Sequence, residues 1–126
     1  MDIDDLIVYQ LAMELAEDVW NIVIKWDYFS RDTVGKQWVE AADSIGANIS
    51  EGFGRYHFKD SKNFLYYSWG SLSETKTWLR KAYKRKLITD EENQDLSQKV
   101  KILGIKLNNY INSIGSNSKA KDTTQS

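Results

Sequence analysis

Residues 41–55 read AADSIGANISEGFGR, and this stretch decides the fold. Its apolar residues recur about every 3.6 positions and continue the spacing of Trp38, which indicates one amphipathic helix over residues 32–51. Alanine and glycine residues within this helix are small enough to let neighbouring helices approach closely. We expect Gly52 to end the helix in a left-handed conformation and Gly54 to let the chain reverse.

Three further segments carry the same helical period: residues 4–27, 59–86 and 90–114. The last of them opens with the capping-box sequence TDEE at residues 89–92, and Gly115 is placed to end it. Four such rods of about 30–40 Å, joined by short loops, predict an all-α fold, an antiparallel up-and-down four-helix bundle over residues 1–115. Residues 116–126 contain no large apolar side chain, so we expect a disordered polar tail.

Single residues mark expected helix starts and contacts. We expect Asp4 or Asp5 to cap the first helix, and Ser30 or Asp32 to cap the second. A glycine inside a helix costs about 1 kcal/mol against alanine. Gly70, in the third predicted helix, therefore suggests that another segment packs closely there.

The composition excludes several classes of function. The chain has no cysteine and a single histidine, His57, which argues against disulfides, multi-histidine metal sites and histidine-based triads. The acidic N-terminus does not resemble a signal peptide, and no apolar run approaches the roughly 18–20 residues of a membrane span. We therefore expect a cytoplasmic protein without membrane, metal or cofactor partners. The net charge of -1 restricts any nucleic-acid contact to a local patch.

Residues 48–55, NISEGFGR, join the second and third predicted helices and allow three interpretations. Glycines before a helix bind phosphate through backbone amides, but the P-loop pattern is absent here. A catalytic site would have a carboxylate and a cation but no nucleophile. We favour a structural polar seam in which Arg55 pairs with Glu51 or Glu74. The other members of this seam lie along one flank of the second helix: Gln37, Ser44 and Asn48.

A basic ridge follows the third predicted helix. Six lysines and arginines, and no acidic residue, lie between positions 76 and 86. Lys76, Arg80 and Lys84 share one face, and Trp69 extends it. Such a row either binds RNA through phosphates and stacked bases or is a solvated surface that favours a helix C-terminus. The solvated surface is the simpler interpretation, and RNA binding is the leading specific hypothesis.

The first predicted helix has more apolar surface than one bundle core covers. Its apolar residues extend over about twice the arc of roughly 100° that a surface helix needs. The second sector contains Tyr9, Met13, Trp20 and Ile24. These side chains either lie in the core beneath a loop or form a contact between subunits. Five tryptophans in so small a chain favour a homo-oligomer that uses this sector.

The chain resembles the four-helix-bundle proteins known as 23S rRNA-intervening-sequence proteins. The resemblance rests on LIVYQLAMELA at residues 6–16, Gln37, the stretch at residues 41–55, and FLYYSWGSLSET at residues 64–75. It covers about residues 6–115 and implies a bundle that commonly assembles as a ring-like homopentamer. A similar bundle occurs in accessory proteins of diversity-generating retroelements, which pair with a reverse transcriptase and carry basic surfaces. Val39 and Glu40 depart from the pattern, because relatives often have two basic residues there.

Together these features predict a non-enzymatic, oligomeric helical bundle that acts as a binding or scaffold module. Its partners are further copies of itself and, through the basic ridge, RNA or a ribonucleoprotein. The alternative is a scaffold that contacts only proteins, which the overall acidity favours.

Overall fold

Four long helices make up most of the molecule. The computed structural model describes residues 1–115, so the predicted tail at residues 116–126 lies outside the described residues. The helices are α1 (Ile7–Val23), α2 (Lys36–Phe53), α3 (Phe58–Lys84) and α4 (Asp90–Ser113). The all-α prediction is confirmed, and no strand occurs in the described range. None of the helices within that range is long and apolar enough to cross a membrane.

A short segment before α1 changes the predicted start of the bundle. A 3-10 turn, Ile3–Asp5, precedes α1, and its N-cap is Asp2. The expected cap at Asp4 or Asp5 is therefore wrong, because these two residues lie inside that turn. Leu6 precedes α1 without any side-chain cap, while Gln10 Nε2 donates to Asp4 O at 2.6 Å.

The approach to α2 begins earlier than the sequence suggested. Asp27 caps a single helical turn, Tyr28–Ser30, which continues through a π-helical segment, Arg31–Gly35, into α2. The Asp27 carboxylate accepts from Ser30 N at 3.0 Å and Ser30 Oγ at 2.8 Å. These hydrogen bonds lower the pKa of Asp27. The expected caps at Ser30 and Asp32 are wrong, since both residues lie within helical segments.

Contacts between neighbouring helices run in opposite chain directions. Ser68 Oγ donates to Ile45 O at 2.9 Å, and Ser61 Oγ donates to Gly52 O at 2.8 Å, so α2 and α3 are antiparallel. Each helix packs against the helices before and after it in the chain, and α1 also packs against α4. The four helices therefore form a closed square in which α1 lies diagonally across from α3.

The core runs the length of this square. Its largest side chains with almost no solvent exposure come from all four helices: Leu15, Val19, Trp38, Ile45, Ile49, Leu65, Leu96, Leu103 and Leu107. Burying each such side chain contributes about 1.5–3 kcal/mol, which makes the apolar stripe the main source of stability. The apolar residues whose spacing predicted the second helix are buried as expected: Trp38, Ala41, Ala42, Ile45 and Ile49.

The ends of α4 match their prediction. Thr89 Oγ1 accepts from Glu92 N at 3.0 Å, while Glu92 Oε1 accepts from Thr89 N at 2.9 Å, which completes the capping box. Gly115 follows the helix with φ +81°, in the left-handed region that favours glycine.

Two other glycines behave differently from the prediction. Gly52 is a buried residue inside α2 and is not left-handed, while Gly54, with φ -81°, ends α2 where the chain reverses, as predicted. Position 52 requires a residue without a side chain because α3 passes close by: a Cβ atom there would lie 2.9 Å from Ser61 O. Gly70 is exposed, and a Cβ atom there would meet no neighbour within 4 Å, so the expected close packing is wrong.

Candidate interaction surfaces

An apolar row on α1 faces away from the core. Met13, Trp20 and Ile24 are 44%, 48% and 46% exposed, and Glu17 lies between them at helical spacing. We call these four residues the outer row of α1; its last member, Ile24, is the C-cap residue that directly follows the helix. Tyr9 belongs less to this surface, because it is partly buried against the core. The interpretation of Met13, Trp20 and Ile24 as core beneath a loop is wrong.

An acidic recess lies beside the outer row, between α1 and α2. It has a volume of about 440 Å³, and Met13, Glu17 and Asp43 are among the residues that line it. Gly46 admits the Met13 side chain, since a Cβ atom there would lie 3.1 Å from Met13 Sδ. Burial and the neighbouring charge of Glu17 raise the pKa of Asp43. Neither carboxylate has an ion-pair partner within residues 1–115.

The remaining acidic residues of α1 form ion pairs with one lysine of α4. Lys99 Nζ lies 2.6 Å from Asp18 Oδ2, 3.4 Å from Glu14 Oε1 and 3.2 Å from Asp95 Oδ2. The hydrogen bond to Asp18 is the main cause that raises the pKa of Lys99. This cluster joins α1 to α4, so Glu14 and Asp18 have a structural role that Glu17 lacks.

A groove with a basic rim runs between α3 and α4. We call it the α3/α4 groove; its volume is about 730 Å³, and none of the described residues that line it is acidic. Leu72, Leu79 and Val100 contribute apolar surface. The charged and aromatic lining residues are Trp69, Lys76, Arg80 and Lys101. The structure thus brings three members of the predicted basic ridge into one groove.

The fourth member of that ridge lies apart. Lys84 is exposed at the end of α3 and does not line the groove. Trp69 is 43% exposed, so its ring is accessible from solvent. Gly104 keeps the groove open on the α4 side, because a Cβ atom there would touch only Leu72 Cδ2, at an ordinary 3.6 Å.

The predicted polar seam is reduced to one ion pair. Arg55 Nη2 contacts Glu51 Oε2 at 3.0 Å, and its guanidinium lies 4.4 Å from the centre of the Phe64 ring. Both charged side chains are solvent-exposed, so this i, i+4 pair contributes only about 0.3–0.5 kcal/mol. Arg55 forms no ion pair with Glu74 in the described part of the chain.

The other predicted members do not join that ion pair. Ser44 Oγ donates to Glu40 O at 2.7 Å, and Asn48 Nδ2 donates to Ser44 O at 2.9 Å. Both side chains therefore bond to the backbone of their own helix, while Gln37 is exposed to solvent. The prediction of a continuous polar seam along α2 is therefore wrong.

The joint between α2 and α3 is built for packing. Gly54 N donates to Ser50 O and Arg55 N to Gly52 O, so these amides are unavailable to cradle a phosphate. His57 is exposed and contacts Tyr56 edge to face, with ring centres 5.0 Å apart. Residues 1–115 contain no cluster of three or more metal-ligating side chains.

Several residues of these surfaces were missed by the sequence reasoning. Lys101, Gly104 and Ile105 line the groove from α4, and Asp43 lines the acidic recess from α2. The available signal was the position of Lys101 and Ile105 outside the apolar stripe of α4. This position indicates a groove only when α3 and α4 are known to be neighbours.

Comparison with solved structures supports the fold. The chain is similar to a crystal structure of a protein with unknown function from the S23 ribosomal protein family of Bacteroides thetaiotaomicron. The TM-score is 0.76 at 23% sequence identity, and the match covers 85% of this chain and 96% of that one. At this identity, the likeness establishes the fold alone.

Comparison at the sequence level defines the family. No curated protein sequence is similar enough to count as a match. The family model of the 23S rRNA-intervening sequence protein matches residues 4–109, which include all of the outer row and the groove. By this match over most of its length, the chain belongs to the 23S rRNA-intervening sequence protein family.

Proposed function

We propose that this protein is a non-enzymatic, self-assembling helical bundle that acts as a cytoplasmic binding or scaffold module. The resemblance described above suggests a ring-like homo-oligomer of five copies. Both candidate surfaces expose apolar side chains beside charged ones, a combination that suits binding to another macromolecule. A role in binding explains these surfaces better than a role in catalysis does.

The outer row of α1 is the observation that carries this proposal. Met13, Trp20 and Ile24 remain about half exposed although the core beneath them is complete. Large apolar side chains grouped on one helix face, unlike scattered ones, mark interaction sites. A second copy of the chain would remove them from water without any change to the bundle.

Self-assembly should depend on Trp20. Tryptophan is enriched among interface residues whose truncation costs about 2 kcal/mol or more, which corresponds to roughly thirtyfold weaker association. We therefore expect Trp20→Gln to shift the protein towards single chains in light scattering, with unchanged helicity by circular dichroism.

The matched control is Tyr56→Ala, which removes an aromatic side chain that is 92% exposed and lies outside the outer row. It should assemble like the wild type. A wild-type protein that scatters light as single chains at micromolar concentration contradicts the proposed self-assembly.

RNA binding is the second candidate function, and the absence of acidic side chains from the described lining of the α3/α4 groove favours it. Lys76, Arg80 and Lys84 would contact phosphates while Trp69 stacks on a base. Reversing the three charges to glutamate should abolish binding of single-stranded RNA at low salt. If all three contact phosphates, they should contribute about 2 to the slope with which the logarithm of the wild-type binding constant falls against the logarithm of the salt concentration.

A charge-matched control reverses three exposed cations that do not line the α3/α4 groove: Lys25, Arg31 and Lys36. It should retain RNA binding if the ridge is the site. RNase treatment of a pull-down separates RNA-dependent partners from protein partners. Failure of the wild type to bind any RNA at low salt contradicts this second function.

A further inference from the structure

The outer row of α1 and the α3/α4 groove have matching lengths. The outer row extends from Met13 to Ile24, the α3 side of the groove from Trp69 to Arg80, and the α4 side across residues 97–108. Each runs over eleven residue steps, or about 16 Å at the rise of an α-helix. A helix of this length can lie along the groove in contact with both walls.

The two surfaces also carry opposite charge. Lys76, Arg80 and Lys101 line the groove without a nearby lining acid among the described residues. The outer row carries Glu17 next to Asp43, and α1 itself contains no lysine or arginine. Burial, and then the neighbouring charge of Glu17, raise the pKa of Asp43, and neither carboxylate has an ion-pair partner among the described residues. Complementary charges of this kind orient two surfaces and suppress wrong pairings.

Apolar surface is available on both sides. Ile105 is 53% exposed at the groove, beside the half-exposed ring of Trp69, while Trp20 and Ile24 project from the outer row. An amphipathic helix that places its apolar face in a groove is a recurrent mode of protein recognition. The outer row has the composition that this groove requires.

One copy cannot make this contact with itself. Helix α1 packs against α2 and α4 and lies diagonally across the bundle from α3. Its outer row points away from the core and therefore away from the α3/α4 groove of the same chain. Contact between the two surfaces therefore requires a second copy.

We propose that the α3/α4 groove of one copy receives the outer row of α1 from a second copy, with Glu17 and Asp43 facing Lys76, Arg80 and Lys101. This inference rests on the proposed self-assembly and names the surfaces that carry it. Because the two surfaces differ, the contact is heterologous. Successive copies then close into a ring, or extend as a filament if the rotation does not close.

A steric block at Gly104 tests the occupied groove. Since a Cβ atom is tolerated there at 3.6 Å from Leu72, Gly104→Leu should fill the groove and leave the bundle folded. We expect this variant to run as single chains at a concentration where the wild type is assembled. Gly70→Leu makes the same change at an exposed position of α3 outside the groove and should assemble normally.

Charge reversal tests the pairing of the two surfaces. Lys76→Glu with Arg80→Glu, and separately Glu17→Lys with Asp43→Lys, should each weaken assembly roughly tenfold or more. Mixing these two double variants should restore association in alternating order, because each then presents a surface that the other can bind, although a ring with an odd number of copies cannot close from them. All four substitutions in one chain should restore complete assembly, with light scattering as the readout and circular dichroism as the control for folding.

The outcomes separate this inference from the proposed function. If the wild type assembles and the Gly104→Leu variant assembles equally well, the groove contact is wrong and the proposed self-assembly still holds. Charge reversals without rescue overturn the pairing. If Lys76→Glu with Arg80→Glu abolishes RNA binding and leaves assembly intact, the groove is an RNA site and the inference is wrong. A wild type found only as single chains contradicts both proposals.

Discussion

Replacing Trp38 by alanine is expected to lower the free energy of unfolding by about 3–5 kcal/mol, the range for large aromatic deletions in a core. Trp38 is completely buried, and its ring stacks on Trp26 at a centroid distance of 5.9 Å and an angle of 23°. The stack joins the beginning of α2 to the segment that follows α1. Alanine would therefore leave a cavity where two helices meet.

The indole nitrogen makes phenylalanine a useful comparison with alanine at this position. Trp38 Nε1 is buried and finds no hydrogen-bond partner among residues 1–115, which is unfavourable for a polar group. Trp38→Phe removes that N–H and keeps most of the ring. We therefore expect Trp38→Phe to lower the free energy of unfolding much less than Trp38→Ala, because phenylalanine leaves a small cavity and alanine a large one.

Urea unfolding followed by circular dichroism measures both variants. The comparison is made at one protein concentration, because association of copies adds to apparent stability. A Trp38→Ala protein within about 1 kcal/mol of the wild type contradicts the account of this core.

The helices themselves were predictable because their causes are local or periodic. Apolar side chains at a spacing of 3.6 residues identify a buried face, and Thr89 and Glu92 stabilise the start of α4 within one turn. The start of α2 was less predictable, because Asp27, Ser30 and Asp32 are all good N-cap residues. Only the hydrogen bonds from Ser30 to Asp27 decide among them.

The two interaction surfaces differ in how far the sequence determines them. The outer row of α1 follows from an apolar arc that is too wide for one core. The width of this arc can be read from the sequence of a single helix. The α3/α4 groove depends on which helices are neighbours and on a missing side chain at Gly104. Glycine inside a helix is ambiguous, as Gly70 demonstrates, because it marks either a close contact or an open surface.

Gly52→Ala is expected to lower the free energy of unfolding by about 1–3 kcal/mol, although alanine is the better helix former. The new Cβ atom would lie 2.9 Å from Ser61 O and 3.3 Å from Leu65 Cγ. The buried hydrogen bond from Ser61 Oγ to Gly52 O, at 2.8 Å, would lengthen as the helices separate. Its loss would add about 1 kcal/mol.

Gly54→Ala is the matched control, two residues along the same joint. Its Cβ atom would lie 3.7 Å from Ser50 O, and its backbone is right-handed, so alanine fits without strain. Because alanine also restricts the unfolded chain, we expect a gain of about 0.4–1 kcal/mol. If the free energy of unfolding falls in Gly52→Ala and rises in Gly54→Ala, glycine is required at position 52 by steric contact and not by backbone freedom.

A double variant identifies the group that limits the space at Gly52. The closest atom is a backbone oxygen of α3, which cannot move away unless the whole helix moves. Shortening the neighbouring side chain with Leu65→Val should therefore fail to recover the stability lost in Gly52→Ala. Recovery in the double variant, measured by urea unfolding against Leu65→Val alone, would mean that the side chain limits the approach of α2 to α3. If the double variant remains as destabilised as Gly52→Ala, the two backbones limit the approach of α2 to α3.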